Sequence, residues 1–254
     1  MQLVSLTLTE TIDEHLKSLI SSQTTHPYEG LRYALFSGGK RFRPLLTLAV
    51  CKDHNTPIEM ALDAACAIEM MHTFSLIHDD LPCMDDDDFR RGKPTLHKVI
   101  PEGQALLCGD LLQNLASETI LGSTHYTDTQ KCALLTTLTH AVHAMMRGQA
   151  RDLHADVTAL SWDELRAIHL DKTAAMCQAA LVCGGIIAEA DCNLLFKLGE
   201  DLGLAYQLFD DVADNDCLTL GKEKTLALAN EHKSAALKLA ENMPTVQQLI
   251  SHVK

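Results

Sequence analysis

Two groups of aspartates carry the plainest chemistry in this chain: Asp79 and Asp80 followed by Asp85 to Asp88, and Asp210, Asp211 and Asp214. Each group closes an apolar stretch. Carboxylates packed this densely repel one another and need strong counter-cations. Hard divalent ions with oxygen ligands suit them, and Mg²⁺ commonly shares its shell with substrate phosphates. Asp210 and Asp214 are i and i+4, one above the other on a helix face, while Asp211 points roughly 100° away. Asp79 and Asp85 flank a turn at Pro82 that can fold them onto one site, leaving Asp86 to Asp88 as solvated overflow. An acidic run is more often a solvated helix face, but the mostly apolar residues 204–209 before Asp210 weigh against that reading.

Cations accompany both groups. Arg90 and Arg91 directly follow the first and can grip phosphate bidentately. Arginines that merely neutralised the aspartates would oppose metal binding, so a shared anionic ligand accounts for both signs. Upstream, Gly38 and Gly39 precede Lys40, Arg41 and Arg43 at a helix start, a ready phosphate site. Lys172 and Thr173 place an amine and a hydroxyl in a small-residue helix. His72 stands upstream of Asp79; alone, such a histidine is more often a core residue than a ligand.

The elements that position these groups read as helices. Only 7 prolines and 13 glycines interrupt the 254 residues, and 46% of the chain is hydrophobic, so the composition predicts an all-α protein. Start signals at Thr56-Pro57-Ile58-Glu59, Thr127 to Gln130 and Ser161 to Glu164 mark helices. Helical spacing runs from Ile58 to Asp79, where Pro82 ends it. Asp79 and Asp80 therefore stand at a helix C-terminus, where the dipole disfavours negative charge, a placement that suggests function. Further helices are expected at about 9–21, 28–36, 41–53, 102–121, 128–147, 162–183, 189–212 and 224–240. No linker rich in Pro, Gly or Ser divides the chain, so residues 1–254 read as one domain.

Composition also excludes some functions. The net charge of −13 argues against nucleic acid as a partner, without excluding a small phosphorylated ligand. Nine cysteines without paired spacing predict a reducing cytoplasm rather than a disulfide framework. The N-terminus lacks a basic region typical of a signal peptide, and no apolar run reaches the ~20 residues that span a bilayer. The expectation is a cytoplasmic protein that is not integral to a membrane.

Order and spacing together resemble the trans-polyprenyl diphosphate synthase family along nearly the whole chain. Gly38 to Pro44 is similar to the family's isopentenyl-diphosphate site. His72 to Asp85 with Arg90-Arg91-Gly92 is similar to its first aspartate-rich motif. Gly148 to Leu153, Lys172-Thr173 and Tyr206 to Asp214 complete five motifs in family order. The resemblance implies a bundle of mostly antiparallel helices around a central apolar cavity, as in isoprenoid synthases, and a homodimer. It implies Mg²⁺-dependent head-to-tail condensation of isopentenyl diphosphate with dimethylallyl or geranyl diphosphate, with about three Mg²⁺ ions bound with the allylic diphosphate. Asp79, Asp85, Asp210 and Asp214 would be the metal ligands. Arg90, Lys172 and either Lys222 or Lys224 would grip the allylic diphosphate, while Lys40, Arg43, His72 and Arg91 hold isopentenyl diphosphate. Thr173 and Gln207 would stabilise the carbocation.

By the same resemblance, product length depends on side chains about one turn before Asp79. Phe74 and Ser75 occupy that level, and an aromatic there goes with farnesyl diphosphate in bacterial members. Geranyl and geranylgeranyl diphosphate are the alternatives, as is a non-catalytic subunit of a heteromeric synthase. The chain departs from the family after Asp214, where a longer segment with two separated lysine elements is compressed into residues 215–225.

Overall fold

The computed structural model describes residues 2–21, 27–154 and 160–254. The chain runs through α1 (Gln2–Leu19), α2 (Tyr28–Leu35), α3 (Phe42–Asp53), a 3₁₀ turn (Ile58–Ala61), α4 (Leu62–Asp79), β1 (Phe89–Arg90), β2 (Lys93–Pro94), α5 (Leu96–Val99), α6 (Glu102–Gly122), α7 (Asp128–Asp152), α8 (Trp162–His169), a π-helical segment (Leu170–Ala174), α9 (Ala175–Ala188), α10 (Cys192–Asp214), α11 (Lys222–Leu239) and α12 (Pro244–Ser251). The all-α expectation holds. Their contacts gather into two compact units, Met1–Leu45 with Leu62–Thr127, and Leu46–Ala61 with Asp128–Lys254.

In the first unit α1 buries Leu8, Ile12 and Leu16, an i, i+4 stripe that lies against α4. α4 is buried from Leu62 to Ile77 on most sides, because α1, α2 and α6 all pack on it. Its amphipathic period is correspondingly weak, as for any helix surrounded by others. The sequence start signal at Thr56 opens only the 3₁₀ turn, and the α-helix proper begins at Leu62. After α4, β1 and β2 form a short antiparallel ladder, Phe89 opposite Pro94 and Arg90 opposite Lys93. Its loop, Arg91-Gly92, has φ of 54° and 74°, the two positive values that a two-residue hairpin turn needs.

In the second unit α9 is the buried centre, packed by α7 and α10. Ser161 caps α8 with the reciprocal Glu164 bonds that the sequence predicts. Asp191 caps α10 by accepting from Asn193 and Leu194 N–H at 2.9 and 3.2 Å, so α10 starts at Cys192 rather than near 189. The expected single helix over 162–183 is interrupted by the π segment, which carries Lys172 and Thr173. Neighbouring helices reach this segment through glycines. A Cβ at Gly148 of α7 would lie 2.4 Å from Lys172 N, and one at Gly203 of α10 2.3 Å from Ala174 Cα.

One sequence expectation is corrected. Ile58–Asp79 and Trp162–Ala188 are helical stretches long and apolar enough to cross a membrane by length and composition. They are 72% and 67% buried within the fold, because interior helices of a helical protein need the same apolarity on every side.

Candidate active site

The first unit holds an acidic turn beside a basic niche. Beyond α4 the chain folds back, with Met84 N–H donating to the Leu81 carbonyl and Asp85 N–H to the Asp79 carbonyl, both at 2.9 Å. Asp85 therefore returns to Asp79 across the Pro82 turn, as the spacing predicts. Asp79 is half-buried and Asp85 exposed. Asp80 plays a different part, being only 4% exposed and accepting from Arg90 Nε at 2.6 Å. Burial holds the Asp80 pKa above the usual carboxylate range, with Arg90 opposing. Arg90 also donates to Asp87 at 3.1 Å, and Lys98 pairs with Asp88 at 2.7 Å. Asp87 and Asp88, expected as overflow, thus tie the turn to Arg90 and Lys98.

The basic niche forms where the hairpin meets Gly38 and Gly39. The Arg91 guanidinium donates to the Gly38 carbonyl, and a Cβ on Gly39 would lie 2.6 Å from Arg91 Nη1. Gly39 has φ of 131°, so both its conformation and the close approach exclude a side chain. Arg43 Nη1 stands 3.5 Å from His72 Nε2. Burial, then Arg43, Arg91, Arg90 and Arg41, hold the His72 pKa well below its usual range. His72 is therefore a neutral imidazole. Shielding from water, with Arg41, Arg90 and Arg43 nearby, also lowers the Arg91 pKa, against the pull of Glu69. Arg91, shielded from water among other guanidiniums, would gain from a bound anion.

Only part of the predicted cation run belongs to this niche. Lys40 is exposed and Arg43 half-buried, but Arg41 turns inward. With φ of 50° and 3% exposure, it donates to Asp13 at 2.8 Å, Glu69 at 2.7 Å and the Leu35 carbonyl at 2.5 Å. Burial works against its charge, yet Glu69 and Asp13 outweigh that and raise its pKa. Arg41 ties α1 and α4 together and is not a third phosphate ligand.

Phe74 is buried, its ring edge-on to His78 with centroids 4.9 Å apart. His78 in turn reaches the Leu106 carbonyl at 3.0 Å. Ser75 donates to the His72 carbonyl at 2.9 Å, within its own helix.

The second unit gathers the remaining predicted residues. Gln207, Asp210 and Asp214 are i, i+3 and i+7 on α10 and share a face; Asp210 and Asp214 are exposed. Lys172 Nζ pairs with Asp152 at 2.5 Å. Arg147 grips Asp171 through Nε at 2.7 Å and Nη2 at 2.6 Å. Thr173 Oγ1 donates to Gln207 Oε1 at 2.6 Å, and Gln207 Nε2 donates to Asp211 at 2.9 Å. His169 Nε2 lies 3.2 Å from the other Asp211 oxygen, off the line of a good hydrogen bond. Sequence reasoning does not single out His169. Its position four residues before Thr173 and the buried Asp211 four after Gln207 are the available signals. Lys222 and Lys224 stand exposed in the first turn of α11, where the dipole disfavours cations.

The donors fit Mg²⁺ by type, being aspartate oxygens in both units. Among the described residues no three His, Cys, Asp or Glu side chains converge into a ready chelate.

Residues 25–247 match the polyprenyl synthetase family. The chain belongs to that family. Over 205 residues it is 40% identical to the geranylgeranyl diphosphate synthase of Cyanophora paradoxa, covering 78% of this chain and 68% of that protein. It is equally identical, over 213 residues, to a dimethylallyltranstransferase of Fischerella ambigua, covering 81% of this chain but 62% of the relative. The chain thus spans about two thirds of these relatives. The fold is similar to a farnesyl/geranylfarnesyl diphosphate synthase of Zymomonas mobilis, with a TM-score of 0.91, 33% identity, and coverage of 100% of this chain and 99% of that one. The isoprenoid-synthase fold expected from the resemblance is therefore present.

Proposed function

We propose that this family member joins isopentenyl diphosphate head-to-tail to an allylic diphosphate, dimethylallyl or geranyl. The observation that carries this reading is the pairing, within one unit, of the Asp79/Asp85 turn with the niche of Arg43, His72 and Arg91. An enzyme that only ionised an allylic diphosphate would need the first and have no use for the second.

Asp79 and Asp85 in the first unit, and Asp210 and Asp214 in the second, are each proposed as Mg²⁺ ligands, and the metal when bound would stabilise charge on the departing diphosphate. Arg90 in the first unit, and Lys172 with Lys222 or Lys224 in the second, are each proposed to grip allylic diphosphate. Lys40, Arg43, neutral His72 and Arg91 would orient isopentenyl diphosphate. As the allylic carbon–oxygen bond breaks, the dipoles of Thr173 and Gln207 would offset the positive charge left on carbon. The double bond of isopentenyl diphosphate supplies the pair for the new carbon–carbon bond, and the released diphosphate takes the proton lost. No side-chain nucleophile is required.

Farnesyl diphosphate is the product favoured by Phe74, a buried aromatic about one turn before Asp79. Geranylgeranyl diphosphate is comparably supported, since relatives such as that of Cyanophora paradoxa bear that name. A cytoplasmic setting suits the nine free thiols, and Leu106, Leu107 and Leu121, exposed on α6, offer apolar area for a homodimer. Incubation with Mg²⁺, isopentenyl diphosphate and each allylic diphosphate in turn, followed by product sizing, tests the reading. Failure to condense with any allylic partner would sink it.

A further inference from the structure

Asp211 adjoins the proposed ligand Asp210, yet its surroundings give it other work. It is only 9% exposed. One oxygen accepts from Gln207 Nε2 at 2.9 Å, and the other lies 3.2 Å from His169 Nε2 without the alignment of a hydrogen bond. His169 is itself 6% exposed. A carboxylate accepts hydrogen bonds, so the end of Gln207 that meets Asp211 must be its NH₂. The amide oxygen then points to Thr173, 2.6 Å away. An amide oxygen also only accepts, so the Thr173 hydroxyl proton is committed to Gln207. The Thr173 oxygen is thereby left with its lone pairs for whatever else approaches.

The order carboxylate, amide, hydroxyl fixes the sign of the last dipole. With the chain intact, Thr173 Oγ1 presents negative character, and a positive centre is the complementary ligand. Without Asp211 the amide could rotate, and the Thr173 proton could point outward instead. The backbone under Thr173 is equally constrained, because Gly148 and Gly203 allow α7 and α10 to press on the π segment on either side of it.

We infer that Asp211 is a positioning residue that sets the polarity of Gln207 and Thr173 towards a cationic intermediate, and is not a metal ligand. This rests on the condensation proposed above, and its test separates the two readings. Wild-type enzyme is first assayed for condensation; no product would overturn the functional reading itself. Given activity, Asp211→Leu, which has no acceptor for the Gln207 amide, is measured for kcat, for KM of both substrates and for half-saturation by Mg²⁺. Binding is measured for two inert allylic diphosphate analogues, one with an ammonium at the cationic carbon and one neutral.

The expected result is a fall in kcat of about 10- to 100-fold, the range usual for residues that orient a reacting group. Affinity for the ammonium analogue should fall about tenfold or more, while the neutral analogue and Mg²⁺ half-saturation stay within about twofold. A rise in Mg²⁺ half-saturation that matches the kcat loss would make Asp211 a ligand and overturn the inference. So would equal losses for both analogues. If Asp211→Leu does not fold, the smaller Asp211→Ala must show the same split, and its absence counts equally against the inference. A double variant with Gln207→Met should lose no more than Gln207→Met alone, because Asp211 is argued to act through that amide.

Discussion

The two units organise their functional residues by different means. In the first, charge fixes geometry: Arg41 is locked by Asp13 and Glu69, Arg90 by Asp80 and Asp87, and Arg91 rests on the Gly38 carbonyl. In the second, backbone proximity does more of the work. Gly148, Gly199 and Gly203 let α7 and α10 approach the π segment and α9 to distances no side chain would permit. Charge pairs there sit nearer the periphery, as in Arg147 with half-buried Asp171. A niche for a polyanion is served by cations already held in place. For the carbocation proposed to form near Thr173 and Gln207, uncharged dipoles on a rigid frame are the better surroundings.

This contrast can be broken from either side. The largest effect on stability is expected from Arg41→Ala, which strands Glu69 without its partner. Loss of a buried pair member costs about 3–5 kcal/mol, read as a lower denaturation midpoint in urea. Gly203→Ala should follow, at about 1–3 kcal/mol for overpacking, with activity falling because the π segment must shift. A melting point equal to wild type would show that α10 has slack against Ala174. Removing the cap with Ser161→Ala should cost about 1 kcal/mol without changing product or Mg²⁺ dependence. Phe74→Ala sharpens the comparison in function: a longer product would make Phe74 the floor, and an unchanged distribution would leave it as core packing against His78.

Acid gives the smallest and most local test. Burial would raise the Asp63 pKa, but His15, whose Nε2 is 2.7 Å away, and Ser123 bring it below the ordinary 3.8. A carboxylate depressed in the folded state adds stability that is present above its unfolded pKa. That contribution is lost as pH falls below about 3.8 towards the folded value. Asp63→Asn should therefore flatten the acid limb of the stability curve, and an unaltered limb would show that this pair adds nothing there.

Much of the site is legible in the residue order alone. Asp79 at a helix end, the i, i+4 pair of Asp210 and Asp214, and the glycines before Lys40 all follow from spacing and local chemistry. What escapes does so for physical reasons. Arg41 looks in sequence like its neighbours, and only its left-handed backbone turns it from solvent to Glu69. His169 is one of several polar residues over 163–173, and its meaning depends on Asp211, contributed by another helix. The π segment leaves no trace in hydrophobic periodicity, because five residues are too few to shift a pattern visibly.

That segment has a consequence for how this site can change. A helix behaves as a screw, and one widened turn is a slipped thread: it re-indexes everything after it by about 100° relative to everything before. Residues on α8 and on α9 can therefore be tuned as separate alphabets, each in phase with its own neighbours. Lys172 and Thr173 sit within the slip itself, so a one-residue deletion there would restore a perfect thread and rotate the two out of register together.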